Sequence, residues 1–293
     1  MKIAGLIFVL VMTFGGFMVA GGKMKVITGV ILPAMPGEGM IIVGSALGAF
    51  VVANSPEVVK HTISYLGALT KPSFYTKDSY VELLCMMFTV FKLARTKGWL
   101  ALESHIENPD DSEVFRQFPE FHGDHHAMTF LADYLRIISL GNDNPHEIEA
   151  LMDEEIETIT HEEMEPSHAV QTVADGAPAL GIVAAVLGVI KTMASITEPP
   201  EVLGKLIGGA LVGTFLGVWI AYGFIGPIAG AMAGKAQTKI AYYKCMKVGI
   251  IAFLSGAAPQ VAVEFARKSL PEEVRPTFIE LEEATNNLAM PST

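Results

Sequence analysis

Histidine and carboxylate side chains crowd one short stretch of this 293-residue chain, where His122, Asp124, His125 and His126 stand almost side by side. Imidazole and carboxylate both ligate zinc, but a structural or catalytic site needs a complete tetrahedral ligand set, and nothing elsewhere in the sequence completes one. These histidines are therefore expected on the surface. His161-Glu162-Glu163 lacks the spacing that places two histidines on one helix face around a metal. There is no phosphate-cradling loop, no nucleophile elbow and no glycine fingerprint followed by an acidic residue at the right distance. Enzyme chemistry, a cofactor and a metal are not expected. What remains is the chemistry of an ionisable group inside a membrane, where a carboxylate is the usual proton relay. Glu38 and Asp175 stand only at the edges of the apolar runs, and no Asp, Glu or His falls well inside one. If ions pass, a partner is expected to supply the carrying group.

The apolar runs that would position such a group dominate the chain. From Leu206 to Gly234 there is no charged residue and no histidine in 29 residues, more than the ~20 that a bilayer-spanning helix needs. Gly176 to Ile190 is a second such run, ending beside Lys191, whose ammonium can snorkel to the headgroups. Each carries a proline, Pro178 and Pro227. A proline removes a helical hydrogen bond and can kink a span. Two near the same end of adjacent spans suggest a moving element. Gly209, Gly213 and Gly217 recur at intervals of four, with Thr214 beside them, a small-residue face on which helices pack closely.

Ile3 to Gly22 is uncharged over 20 residues after Lys2. It is long for the apolar part of a signal peptide and no small-residue cleavage motif follows, so it is read as a retained first span. Val26 to Gly37, with Pro33 and Pro36, is read as a loop. Gly39 to Pro56 is then a second, shorter span with Gly44 and Gly48 on one face.

At 51% hydrophobic residues the chain is too apolar for a soluble domain, and at 17% charged it is too polar to lie wholly in a membrane. The fold class that follows is an all-α membrane protein, with four transmembrane helices plus a helical cytoplasmic domain. The expected divisions are 1–57, the first helix pair; 58–168, the cytoplasmic helices; 169–234, the second pair, lining the ion path; and 235–293, cytoplasmic helices and a polar frayed tail after Asn286. Seven lysines flank the spans on the polar-domain side (Lys60, Lys71, Lys77, Lys235, Lys239, Lys244, Lys247) against four on the other. That bias favours a cytoplasmic domain in a multi-pass protein, and four spans put both termini on its side.

Within the polar part, Ser79 to Lys97 repeats apolar residues at helical spacing and ends in cations near Gly98. Phe115 to Gly141 continues the pattern. Asn144-Pro145-His146-Glu147 reads as a helix start, leading into a stripe of Ile148, Leu151, Met152, Ile156 and Ile159. Between Arg136 and Lys191 there is no Lys or Arg but eleven Asp or Glu, which argues against a nucleic-acid partner. The acidic helix is expected to pack on the basic stretch from Lys235 to Lys247. Cys85 and Cys245 make no disulfide framework and are expected as free thiols.

The stretches A-P-A-L-G-I-V-A-A-V-L-G-V-I, V-G-T-F-L-G-V-W-I-A-Y-G-F-I-G-P-I-A, E-I-E-A-L-M-D-E-E-I-E-T and R-P-T-F-I-E-L-E-E resemble the flagellar motor stator protein MotA, over nearly the whole chain. The wider group includes TolQ and ExbB, whose members typically have three spans. The resemblance implies a homo-oligomeric ring, a pentamer, around a MotB dimer whose transmembrane aspartate carries the ion, with torque delivered to the rotor protein FliG during motility and chemotaxis. It implies coupling roles for Pro178 and Pro227, a channel-lining role for Thr214, and a rotor-facing pair in Arg95 and Glu103. Sodium-driven relatives carry a second threonine where this chain has Ala185, which implies protons. Lys191 departs from the pattern. The alternative is a TolQ/ExbB-like energiser of a periplasmic partner; a third is a solitary secondary transporter with discontinuous helices. The extended polar region with Arg95 and Glu103 favours the first.

Overall fold

A computed structural model describes residues 2–71 and 74–288. The last residues of the tail, 289–293, lie outside the described residues. The regular structure of the described residues is helical throughout. The chain divides into two compact units, Met1–Pro72 with Met164–Gly234, and Ser73–Glu163 with Lys235–Thr293.

The first unit begins with α1 (Lys2–Val19), which stops at a turn whose Gly21 has φ +91°. The next segment corrects the expected loop at Val26–Gly37. It is helical: α2 (Met24–Val26), a π-helical turn at Ile27–Ile31, then α3 (Leu32–Ala53). Pro33 falls in the first turn of α3, directly after the π-helical turn, and Pro36 lies inside the helix. Prolines that normally mark a turn are thus absorbed at a helix start. Ser55 then caps α4 (Pro56–Ala68), its hydroxyl accepting from the Val58 N–H.

Three helical stretches are long and apolar enough to cross a membrane, Met24–Ala53, Pro145–Met193 and Pro200–Leu254; Ile3–Val19 is a shorter apolar helix. Their outward faces carry large apolar side chains such as Phe8 (63% exposed), Val52 (89%) and Ile190 (60%). So continuous an apolar exterior is tenable in lipid and not in water. Inside, Ile42, Ala177, Ala184, Leu216 and Ala221 form a small packed centre. Trp219 ties α1 in, donating from Nε1 to the Thr13 hydroxyl at 3.0 Å and meeting Phe14 edge to face.

The second unit is built on α5 (Lys77–Lys97). Thr76 and Ser79 form a capping box at its start, and Gly98 at φ +80° ends it. Tyr80, Leu83, Leu84, Met86, Met87 and Phe91 are buried along it, and Phe91 stacks on Phe253 at 4.6 Å. The expected helix from Phe115 to Gly141 is shorter than predicted. After α6 (Glu103–Glu107) and a 3₁₀ turn at Phe115–Gln117 come α7 (Pro119–Gly123) and then α8 (His125–Ser139). Asp124 breaks the run because its carboxylate accepts from the Ala127 N–H and caps α8. The same carboxylate accepts from the Tyr75 hydroxyl at 2.8 Å. Phe130, Leu131, Tyr134, Leu135 and Ile138 all face inward.

Asn144 opens α9 (Pro145–Met193), accepting from the His146 N–H and donating to Glu147. Ile148, Met152 and Ile156 are buried, whereas Leu151 is 48% exposed and leaves the predicted stripe. The chain continues through α10 (Pro200–Ile220), a π-helical turn at Ala221–Ile225, and α11 (Gly226–Leu254). The acidic stretch meets the basic one as expected: Lys239 reaches Glu163 at 2.6 Å and Lys247 reaches Asp153 at 2.8 Å. Cys85 and Cys245 are buried free thiols, and burial pushes Cys245 up to about 12.

The unit closes with α12 (Pro259–Lys268) and α13 (Phe278–Asn286). Arg267 is only 6% exposed and forks onto Glu264 while donating to the Pro276 carbonyl. The Arg267 hydrogen bonds hold the Glu264 carboxyl below its ordinary 4.5. A depressed carboxylate contributes stability that is present above the unfolded value and lost as pH falls through the folded one. Thermal melts of the purified protein are therefore expected to weaken on acidification below about 4.5. Glu264→Gln should flatten part of that slope; an unchanged slope would remove Glu264 from the account.

Candidate ion path

The helices α9 and α10 approach as closely as backbones can. A methyl group added at Gly181 would lie 2.9 Å from the Gly213 carbonyl oxygen and 3.0 Å from the Gly217 Cα. One added at Gly217 would lie 2.7 Å from the Ala177 carbonyl oxygen and 2.8 Å from the Gly181 Cα. One at Gly188 would meet the Ala210 Cα at 2.8 Å, and one at Gly213 the Ala185 nitrogen at 2.9 Å. The pairs Gly181–Gly217, Ala185–Gly213 and Gly188–Ala210 step in antiparallel register, so the contact is continuous. Without a hydrophobic drive between helices in lipid, such close approach is what holds a pair together.

Gly209 leaves this contact. A methyl there would touch the Ala34 Cβ at 3.7 Å, so Gly209 faces α3, Gly217 faces α9, and Gly213 faces both. The single glycine face read from spacing serves two neighbours, because residues four apart advance round the helix axis. Gly44 and Gly48 have open space beside them within this chain.

Pro178 lies inside α9, partly buried next to the Ala177 contact. Pro227 is exposed, in the first turn of α11, two residues after the π-helical turn. Pro33 follows the other π-helical turn at the same distance. A wider turn relieves the clash between a proline ring and the carbonyl four residues back, so the π turns and these prolines belong together. Thr214 is exposed on α10 and Ala185 partly buried on α9.

The residue that sequence reasoning misplaced is Glu38. Because Val26–Gly37 is helical, Glu38 is well inside the apolar helical stretch Met24–Ala53 rather than at its edge. Its Oε2 would lie 2.7 Å from a methyl on Gly213 and its Oε1 3.6 Å from one on Gly188. The carboxylate therefore points into the junction of α3, α9 and α10. The first unit therefore holds a carboxylate within an apolar helical stretch, which corrects the placement of Glu38 at the edge of a run. A reading that let Pro33 start a helix would have found it.

Arg95 and Glu103 belong to the second unit. Arg95 is exposed in the last turn of α5 and Glu103 exposed at the start of α6, with the Gly98 turn and a 3₁₀ turn, Trp99–Leu102, between them. Neither makes an ion pair among the described residues. Leu100, between them, is 81% exposed. Among the described residues no group of three or more His, Cys, Asp or Glu is arranged to hold a metal.

The profile of the motility protein A N-terminal region matches residues 3–98, and that of the MotA/TolQ/ExbB proton channel family matches residues 123–244. Motility protein A of Salmonella typhimurium is 41% identical over 98% of this chain and 96% of its own. Motility protein A of Escherichia coli is 42% identical over 95% and 92%. The flagellar MotAB stator complex from Bacillus subtilis has a chain that superposes with a TM-score of 0.70 at 26% identity, covering 93% of this chain and 96% of that one.

Proposed function

The chain belongs to the motility protein A family, and on that premise we propose how it works as a flagellar stator subunit. It is not an enzyme but a subunit of an inner-membrane proton channel that acts in an oligomeric complex with MotB. The carrying observation is identity of 41% over almost the full length of both chains.

In this reading α1, α3, the apolar half of α9, and α10 form four spans, with both termini in the cytoplasm. Five copies ring a MotB dimer, and a MotB membrane aspartate alternates between charged and protonated beside α9 and α10. Ala185, small and without a hydroxyl, suits protons rather than sodium; Thr214 lines the path. Pro178 and Pro227 leave the carbonyls of Ala174 and Gly223 without their usual helical donors, so the helices bend most easily there. Because α9 and α11 each run on into the second unit, bending in the span is carried there by continuous helix. Arg95 and Glu103 then push on FliG.

Deleting the chain is expected to leave flagellar filaments that do not rotate, and vesicles are expected to pass protons only when the chain and MotB are present together. Swimming deletants, or proton flux from this chain alone, would overturn the reading.

A further inference from the structure

Glu38 is an acid inside an apolar helix, and its Oε2 is buried without a hydrogen-bond partner. An orphaned buried carboxylate oxygen is costly and calls for an explanation. We propose that Glu38 is a proton-exchanging carboxylate contributed by this subunit itself, on the side of the unit where α9 and α10 are joined.

The surroundings favour a proton over a metal cation. The notch exists because Gly213 has no side chain, and its other walls are the Ala185 backbone nitrogen and the Ala184 methyl. A hard cation needs a shell of several oxygens, whereas a proton needs one. The location is within reach of water: Gly188, against which Oε1 lies, is followed by only about 8 Å of helix before α9 ends. Lys191 lies in that last stretch. The α10 wall adds no charge from Leu206 to Gly234, and α3 carries no other.

In the exchange, Oε2 takes a proton from hydronium, forming an O–H bond and leaving water. That bond breaks when the proton passes to the MotB carboxylate, which becomes the acid. This second step rests on the stator reading; the first does not.

The test uses the full chain with MotB in membranes, measuring proton flux and the infrared band of a protonated carboxylic acid on acidification. Glu38→Gln is expected to lower flux by about tenfold or more, a modest share of what a positioned proton-transfer group contributes. Glu38→Asp should keep more of it. The acidification difference spectrum of Glu38→Gln should lack one carboxylic acid component that the unaltered complex shows, with the bands of the other carboxylates kept. Flux in Glu38→Gln equal to that of the unaltered complex, or an acidification spectrum in Glu38→Gln identical to that of the unaltered complex, would overturn the proposal. If Glu38→Gln fails to assemble, the unaltered complex carrying ¹³C-glutamate at position 38 alone decides: no isotope-shifted acid band on acidification would overturn it. Absence of flux from the unaltered complex would instead sink the stator reading, with the band still reporting on Glu38.

Discussion

Gly217→Ala is expected to force α9 away from α10 and stop the motor. The added methyl would stand 2.7 Å from the Ala177 carbonyl oxygen and 2.8 Å from the Gly181 Cα. Both are backbone atoms, so no rotamer change relieves the overlap. Overpacking of this kind costs about 1–3 kcal/mol, in a contact whose stability comes from close approach. The helix register along the whole pair would shift, carrying Pro178 and Ala185 with it. Gly204→Ala is the matched control, since a methyl there meets nothing within 4 Å and alanine favours helix over glycine by about 1 kcal/mol. The measurement is the thermal midpoint of the purified stator complex together with swarm diameter. Gly217→Ala should lower both, and Gly204→Ala should leave them level or slightly raised. A Gly217→Ala strain that swims normally with an unchanged midpoint would refute the close-packing account.

Charge reversal at Arg95 is expected to abolish torque while leaving the complex in the membrane. Arg95 is exposed and makes no ion pair among the described residues, so Arg95→Glu breaks nothing within the subunit. Surface changes away from packing or ion networks alter stability by only a few tenths of a kcal/mol. At a contact with a complementary rotor charge, attraction would become repulsion, and like-charge juxtaposition costs several kcal/mol. Every ~1.4 kcal/mol is tenfold in occupancy, so productive contacts should fall well beyond that. Tethered-cell torque, with immunoblots of the membrane fraction, separates the two effects. Reversing the matching charge on FliG should restore rotation. Normal swimming in the double reversal Arg95→Glu, Glu103→Lys, with the rotor unchanged, would remove the pair from the mechanism.

Much of this molecule could be read before any coordinates. The uncharged run after Leu206 demands lipid because no amount of folding buries so long an apolar stretch in a chain of this size. The start of α9 was legible in Asn144-Pro145-His146-Glu147 because capping is local chemistry, settled within one turn. The acidic and basic stretches were expected to meet because opposite charges on neighbouring helices attract, and Lys239 and Lys247 do reach Glu163 and Asp153.

Other features were decided only by tertiary structure. Pro33 and Pro36 signal a turn as often as a helix start, and packing of α3 against α10 selected the helix. That choice moved Glu38 from the edge of an apolar run to the inside of a helical stretch. Leu151 fits the periodicity of its helix as well as Met152 does, but helical spacing says which residues share a face, not how wide a face the neighbours cover. The glycines at 209, 213 and 217 are one row in sequence and two contacts in space, because a helix between two partners turns successive positions toward different neighbours. Sequence alone thus determined which segments are apolar helices and where they are capped, since those depend on residues one turn apart. Which side chain ends against which was left to the fold, because it depends on helices brought together from distant parts of the chain.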